Sequence, residues 1–457
     1  MVGTLGPQPI STKLRRIAKL AKAAPDMKFT TLAHHIDYEW LLEAYRRTRK
    51  DGAPGVDCQT ADQYAQNLEE NLYSLLDRAK RGTYRAPPVR RVNIPKGDGT
   101  QTRPIGIPTF EDKILQRAVS MVLEAVYEQD FYDFSYGFRR KRSTHQALEH
   151  LQSGLVRMAG GWVLEVDIKK FFDTLNHEHL REILRQRVRD GVLLRLIGKW
   201  LNAGVLEGLE LSYPETGTPQ GGVISPLLAN IYLHTVLDAW FEREVRPRLR
   251  RDAWLIRFAD DFVIVFASED DARRVNEVLP KRFARFGLEL HPGKTRLLDF
   301  RRPDRKNDED DDDQGPRTFD LLGFTHMWCR SRRGKWVVQK RTASNRLSRS
   351  LHRVRVWCRV NRHEPVGWQH SELSQKLHGH YAHYGVTGNY RAIHCFFWEV
   401  VAAWRKWLAR RSHAGQRTCT WKWMRGLLRR LPLPRPHIVH GYDPQLELPF
   451  DVAPGRP

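Results

Sequence analysis

The chain has 457 residues, with 76 Lys and Arg against 53 Asp and Glu, giving a formal net charge of +23. A single hydrophobic core rarely outgrows about 250–300 residues, so more than one domain is expected, and a cationic excess of this size calls for a polyanionic partner, nucleic acid first. No apolar run approaches the roughly 18 residues of a spanning helix, and the N-terminal segment has no apolar secretory core, so neither a membrane partner nor export is expected.

Residues 1–35, including STKLRRIAKLAKAA, read as a mobile basic arm, followed by a helix in YEWLLEAYRRTRK and a Gly/Pro turn cluster at DGAPGVD. The pattern of TADQYAQNLEENLYSLLDRAKRG predicts a second helix, and PVRRVNIPKGDGTQTRPIGIP a hairpin carrying Lys96 and Arg103 at or near its tip. In EDKILQRAVSMVLEAVYEQ, Ile114, Ala118, Met121, Val122 and Ala125 fall on one helical face. WVLEVDI alternates as a strand ending at Asp167, and NHEHLREILRQRV follows as a helix with Asn176 as its N-cap. GTPQGGVISPLLANIYLH, residues 217–234, is a Gly-rich loop running into a helix. Its glycines permit close backbone approach to a flat partner such as a base pair, and Gln220 both donates and accepts hydrogen bonds. LIRF and FVIVF then flank Ala259-Asp260-Asp261 as a second hairpin, with the carboxylates at its turn.

The block RRPDRKNDEDDDDQGPRT is read as a solvated loop, because adjacent acids fix no coordination geometry. From about Lys340 the composition turns rich in Arg, Trp and His and helical in pattern, marking a C-terminal module. In RTASNRLSRSLHRVRVWCRV, Arg346, Arg349 and Arg353 share one face and Leu347, Leu351, Val354 and Cys358 another. One face packs and the other meets phosphate. Trp404 and Trp407 have two uses open to them, core packing and base stacking. His378, His380 and His383 are assigned to helix packing or RNA contact, since no cysteine or acid stands near to complete a metal site. The five cysteines, at 58, 329, 358, 395 and 419, contain no C-x-x-C pair and fit a reducing compartment, the bacterial cytoplasm ahead of an organellar matrix.

Strand interiors are poor in Asp, and a buried unpaired carboxylate is strongly disfavoured. Asp260 and Asp261 therefore have two readings, as turn formers or as metal ligands. A sheet that set Asp167 beside the Asp260/Asp261 turn would gather three carboxylates, a hard-oxygen site for Mg²⁺. Two ions about 3.5–4 Å apart would activate a hydroxyl and stabilise leaving pyrophosphate.

In order along the chain, RPIGIPTFEDKILQRAV, FSYGFRRKRSTHQAL, VLEVDIKKFFDTLNHEHL, GTPQGGVISPLLANIYLH, RFADDFVIVF, GLELHPGKTRLL and FDLLGFT resemble the blocks of group II intron-encoded reverse transcriptases, or maturases. GHYAHYGVTGNYRAI resembles the thumb or maturase region and WKWMRGLLRRLPLPRPHIVH the DNA-binding tail, so the likeness covers about residues 40–442. It implies an α+β right-hand polymerase, with fingers and an antiparallel-sheet palm over 36–330, a helical thumb/maturase domain over 331–412, and a basic DNA-binding tail over 413–457. It also implies that Asp167, Asp260 and Asp261 are catalytic and, with Ile168 beside them, form the site of two Mg²⁺ ions, for which Mn²⁺ substitutes. Phe172 matches the aromatic that excludes a ribose 2′-hydroxyl, Arg103 and Lys96 would grip the triphosphate, Gln220 and Gly221 would shape the pocket around the nascent pair, and Lys294 would neutralise or protonate pyrophosphate. Arg346, Arg349 and Arg353 are the RNA-binding set. Phe258 stands where the family usually has Tyr, a change that keeps the ring, and the acidic insertion is a second departure.

The resemblance implies RNA-directed DNA synthesis from dNTPs on an intron RNA template, primed at a DNA target, together with help in intron splicing and mobility. No clustered Cys and His of a fused HNH endonuclease are found, so the primer is expected from elsewhere, for example a replication fork. Two other functions fit the same motifs: a non-catalytic splicing maturase, and a domesticated relative serving DNA repair or phage defence.

Overall fold

The computed structural model describes residues 9–96, 101–208, 210–213, 216–217, 221–303, 317–331 and 333–441. These form a mixed α+β fold with three sheets. The central sheet is antiparallel, in the order Ala253–Phe258, Asp261–Phe266, Trp162–Val166, Arg296–Asp299. Successive side chains leave a strand on opposite faces. Leu164, Val166, Phe262 and Ile264 accordingly enter the main core with the helix Glu269–Ala284, while Val163, Val263, Val265, Trp254 and Ile256 pack with Leu151 and Leu155 of the helix Thr144–Arg157. Both faces are covered, which explains the unbroken apolar run of FVIVF.

The hairpin expected around Lys96 and Arg103 is present as Val89–Lys96 and Gln101–Ile107, and Val205–Glu207 and Glu210–Ser212 extend it into a four-stranded sheet. A third sheet pairs Phe319–Leu321 with Phe324–Arg330 and Trp336–Thr342 and leads straight into the helix Ser344–Val360. Its second hairpin, Phe324–Arg330 with Trp336–Thr342, runs across both the 330/331 boundary that the resemblance implies and the change of composition near Lys340.

Three elements differ from the sequence expectation. The basic segment is in part a helix, Ile10–Ala23, with Ile17 and Ala21 buried. The buried Arg187 guanidinium holds its end by donating to the carbonyls of Ala21, Ala24 and Met27 at 2.7–2.8 Å. Its lysines and arginines form the polar face of an amphipathic helix. The second helix is two, Ala61–Ala65 and Leu68–Arg81, because Asn67 leaves helical geometry at φ −124 and ψ 44. The helix Phe110–Tyr127 is buried on nearly all sides, with Leu115, Gln116, Val119, Ser120 and Leu123 inside as well, whereas Ala125 is only partly buried. Packing against Ile10–Ala23 on one side and Tyr38–Arg47 on another accounts for this.

The C-terminal helices Ser344–Val360, Val366–Tyr384, Tyr390–Ala409, His413–Thr418 and Trp421–Arg430 enclose a core of their own. Val354 and Cys358 are buried in it and Leu347 and Leu351 pack against it, as the helical periodicity predicts. His380 stacks on Phe396 with ring centroids 3.6 Å apart. Trp407 is half-buried, with Lys406 and Arg410 over its ring. The described cysteines are free, and no described helix is long and apolar enough to cross a membrane. The acidic stretch 308–313 lies outside the described residues.

Trp404 takes the packing option: it is 0% exposed and donates its indole N–H to Gln369 Oε1 at 2.8 Å. Trp404→Ala is expected to destabilise the helical module by about 3–5 kcal/mol, read as a lowered denaturation midpoint. An unchanged midpoint with weakened RNA binding would instead place this ring on the surface.

Candidate active site

The hairpin of the central sheet closes in two residues, Ala259 and Asp260. Ala259 has φ 58 and Asp260 a negative φ, the sign pattern of a type II′ turn, whose twist matches that of the flanking strands. Asp261 opens the inner strand opposite Phe258. The neighbouring pair is Val166↔Phe262, and the same register carried one residue further sets Asp167 opposite Asp261. Facing Cβ atoms in an antiparallel pair lie about 4.5–5.5 Å apart, so Asp167 and Asp261 face each other at the end of the sheet, with Asp260 next to them in the turn and all three within electrostatic reach.

Their electrostatics follow from this crowding. Asp260 is half-buried and Asp261 reaches solvent, yet both stand against dense protein that strips hydration from them. Burial, then repulsion from Asp260 and Asp167, pushes the Asp261 carboxyl up to about 6, with Arg346 and Lys294 acting in the opposite sense. The Asp260 carboxyl is also raised, by burial first, against its own backbone hydrogen bond and the charge of Arg103. Among the described residues, no three His, Cys, Asp or Glu side chains are grouped closely enough to hold a metal ion. Asp167 is instead engaged by Lys294 Nζ at 2.9 Å. The donor chemistry still suits a hard divalent cation, because these are carboxylate oxygens that destabilise one another as anions.

The HPGKT turn brings Lys294 to this position. His291 N–H donates to the Asp167 carbonyl at 2.8 Å and Lys294 N–H to the His291 carbonyl at 3.1 Å. Ile168 is buried in a bridge to Leu290 whose bonds run from His291 N–H to the Asp167 carbonyl and from Lys169 N–H to the Glu289 carbonyl. Arg103 lies on the strand Gln101–Ile107 and its charge acts on Asp260, while Lys96 ends the paired strand opposite Gln101. Arg346 is exposed, and its charge acts on Asp261 in the sense that favours the carboxylate. Arg349 is half-buried and donates to the Asn345 carbonyl at 3.0 Å, and Arg353 is exposed on the same helix. Phe172 is 7% exposed, edge-on to Phe171 and part of the main core.

The Gly-rich loop is held at both ends. Gly217 N–H donates to the Leu175 carbonyl at 2.8 Å, and Val223 N–H donates to the buried Gln116 side chain at 2.8 Å. Gly221 has φ 123, and a Cβ there would come within 2.5 Å of the Gly106 carbonyl. This glycine therefore seats the loop on the Arg103 strand. Gln220 lies outside the described residues.

What fixes the Asp260 turn is a buried network absent from the sequence expectation. Arg257, 0% exposed, forks onto Asp238, also 0% exposed, at 2.7 and 2.5 Å. Its remaining terminal nitrogen donates to Asn230 Oδ1 and to the Ala259 carbonyl, both at 3.0 Å. Burial pushes the Asp238 carboxyl up, but Arg257 and His234 outweigh it and leave it below the usual range. Asn230 in turn donates to the Gly137 carbonyl at 2.7 Å. A Cβ on Gly137 would lie 2.3 Å from the Ala259 nitrogen, so only glycine lets this backbone rest on the turn. Eight α-helical residues would separate Asn230 and Asp238 by roughly 80° around the axis, and the wider π turn at His234–Asp238 removes much of that offset. A signal existed: Arg257 is a charge inside an apolar strand and requires a buried partner.

Arg257→Ala leaves Asp238 uncompensated and is expected to cost about 3–5 kcal/mol, measured by denaturant unfolding. The double variant R257M/D238L should recover most of that loss, since removal of both charges is often near neutral. It should not recover Mn²⁺ binding at the carboxylates, followed by paramagnetic resonance, because the Ala259 carbonyl has lost its donor. Recovery of both would reduce the network to a stability role.

Residues 94–326, about half the chain, match the family described as Reverse transcriptase (RNA-dependent DNA polymerase). Protein YkfC of Escherichia coli (strain K12) is 35% identical over 288 residues, covering 56% of this chain and 75% of YkfC. The group II intron-encoded protein LtrA of Lactococcus lactis is 38% identical over 259 residues, 53% of this chain and 41% of LtrA. Nuclear intron maturase 4, mitochondrial, of Arabidopsis thaliana is 30% identical over 128 residues, 28% of this chain and 16% of that protein. The chain thus spans less than half the length of LtrA while covering three quarters of YkfC. With a carboxylate turn built into an antiparallel sheet inside the matched region, it belongs to the reverse transcriptase family, the RNA-dependent DNA polymerases.

Proposed function

We propose that the protein copies RNA into DNA at the Asp260 turn and assists the splicing and mobility of a group II intron. The observation that carries this is the register that sets Asp167 one step beyond Val166↔Phe262, opposite Asp261. In this reading the central sheet is the palm, the Arg103 hairpin belongs to the fingers, and the helices after Thr342 are thumb and maturase region followed by the basic tail. Asp167, Asp260 and Asp261, with the Ile168 carbonyl beside them, would hold two Mg²⁺ ions, which when bound would supply acidification of the primer 3′-hydroxyl and neutralisation of charge on the phosphates.

The side chains around them have separate tasks. Arg103, a planar fork on a paired strand, binds the triphosphate of the incoming dNTP, with Lys96 as a point charge nearby. Lys294, paired with Asp167, would neutralise or protonate the leaving pyrophosphate. Phe172 limits space at the sugar, supported by its fixed position in the core. Gly221 and Gln220 border the nascent base pair. Arg346, Arg349 and Arg353 present charge to the phosphates of the intron RNA template, and a DNA target strand supplies the primer. LtrA and the Arabidopsis protein carry intron-encoded and maturase names, which supports the splicing role.

The test is primer extension on an RNA template with Mg²⁺. Asp260→Asn together with Asp261→Asn is expected to reduce extension by about a thousandfold, the equivalent of several kcal/mol of lost charge stabilisation. Chelation of the metal should do the same to the native chain. Binding of intron RNA by the double variant should stay unchanged. Extension at the native rate would remove the turn from the chemistry.

A further inference from the structure

Within the segment 134–139, every residue is buried except Phe138. Its ring is 59% exposed and belongs to none of the four hydrophobic clusters. Phe138 also has φ 57, a left-handed conformation that bulky L-residues rarely adopt. Neither packing nor backbone preference accounts for a phenylalanine here. Its neighbours explain only why the strain persists. Gly137 is held by Asn230 and rests on Ala259, while the buried Arg139 guanidinium donates to the carbonyls of Tyr132 and Ser135 at 2.6 and 2.7 Å and pairs with Glu128 at 2.8 Å. The ring is therefore projected from a rigid support one residue away from contact with the Asp260 turn.

We infer that Phe138 stacks on a base of the RNA template–DNA primer duplex bound beside that turn. An aromatic face is tolerant of sequence because every base has a π-face, which suits an enzyme that copies any template. The loop adds cations next to the ring: Lys141, exposed at φ 61, and Arg140, paired with Glu124 at 3.0 Å. These supply phosphate contacts of the usual kind. An apolar ring flanked by basic side chains matches stacked bases flanked by phosphates. The inference rests on the reading that the Asp260 turn is the polymerase centre.

The experiment is fluorescence anisotropy of a labelled RNA template–DNA primer duplex, with the full chain and no divalent cation. Phe138→Ala is expected to weaken binding about tenfold or more, the range base–aromatic stacking covers, while Phe138→Trp and Phe138→Tyr stay close to the native affinity. Phe138→Gly should bind as weakly as the Ala variant yet melt at a higher temperature, since glycine adopts positive φ without strain. Native affinity in Phe138→Ala overturns the inference, as does a Trp variant as weak as Ala. A lowered melting temperature in Phe138→Gly also overturns it, because the ring would then be a packing residue. Binding without cation does not depend on Asp260 and Asp261, so failure here leaves their assignment standing, and failure of that assignment leaves this measurement readable.

Discussion

The Arg257–Asp238 pair is the constraint on which the site depends. Two opposite charges with no solvent access persist only when geometry is close to ideal and the remaining donors are satisfied. Here one fork goes to Asp238 and the leftover nitrogen to Asn230 and the Ala259 carbonyl. A buried guanidinium is planar and rigid, so it transmits the position of the helix after Ser225 directly to the backbone of the turn. The Ala259 strain at φ 58 is held in place by this donor on one side and by Gly137 on the other. The carboxylates can thus repel one another without the turn relaxing.

That repulsion organises the surroundings. Asp167, Asp260 and Asp261 act on one another at the end of a sheet whose interior is dry, and each also feels the charge of a cation from a different element. Lys294 arrives from the turn before the edge strand, Arg103 from the neighbouring sheet, and Arg346 from the first C-terminal helix. Of these three cations only Lys294, in direct contact with the Asp167 carboxylate, is an ammonium. An ammonium on a flexible stem, unlike a fixed fork, can leave when a divalent ion or a phosphate arrives.

The sheet elements were readable because period-two alternation and turn chemistry are local. RFADDFVIVF gives strand, turn and strand directly, and Asn176 caps its helix as expected, accepting from the backbone of Glu178 and His179. The facing of Asp167 and Asp261 was not local, and only the ordered motifs suggested it. Burial of the helix Phe110–Tyr127 on nearly all sides was hidden because Gln116 and Ser120 read as polar, although Gln116 is inside in order to hold the Gly-rich loop. The packing of Ile10–Ala23 was hidden for the opposite reason: its many charges outnumber the two residues that are buried. The Arg257 network was missed because its partners, 19 and 27 residues away, are brought round by a π turn that no hydropathy pattern marks.

The third sheet links the two parts of the chain in a way that composition conceals. Trp336–Thr342 pairs with Phe324–Arg330, and two residues after Thr342 the helix Ser344–Val360 begins. Asn389, from the start of the helix Tyr390–Ala409, accepts from Thr342 N–H at 2.9 Å and donates to its hydroxyl at 2.8 Å. The first turn of the Arg-rich helix is therefore set by the strand behind it and by the C-terminal bundle beside it. Arg346 lies in that turn, and its charge reaches Asp261. The position of that positive charge relative to the carboxylates is thus set by the strand Trp336–Thr342 and by Asn389.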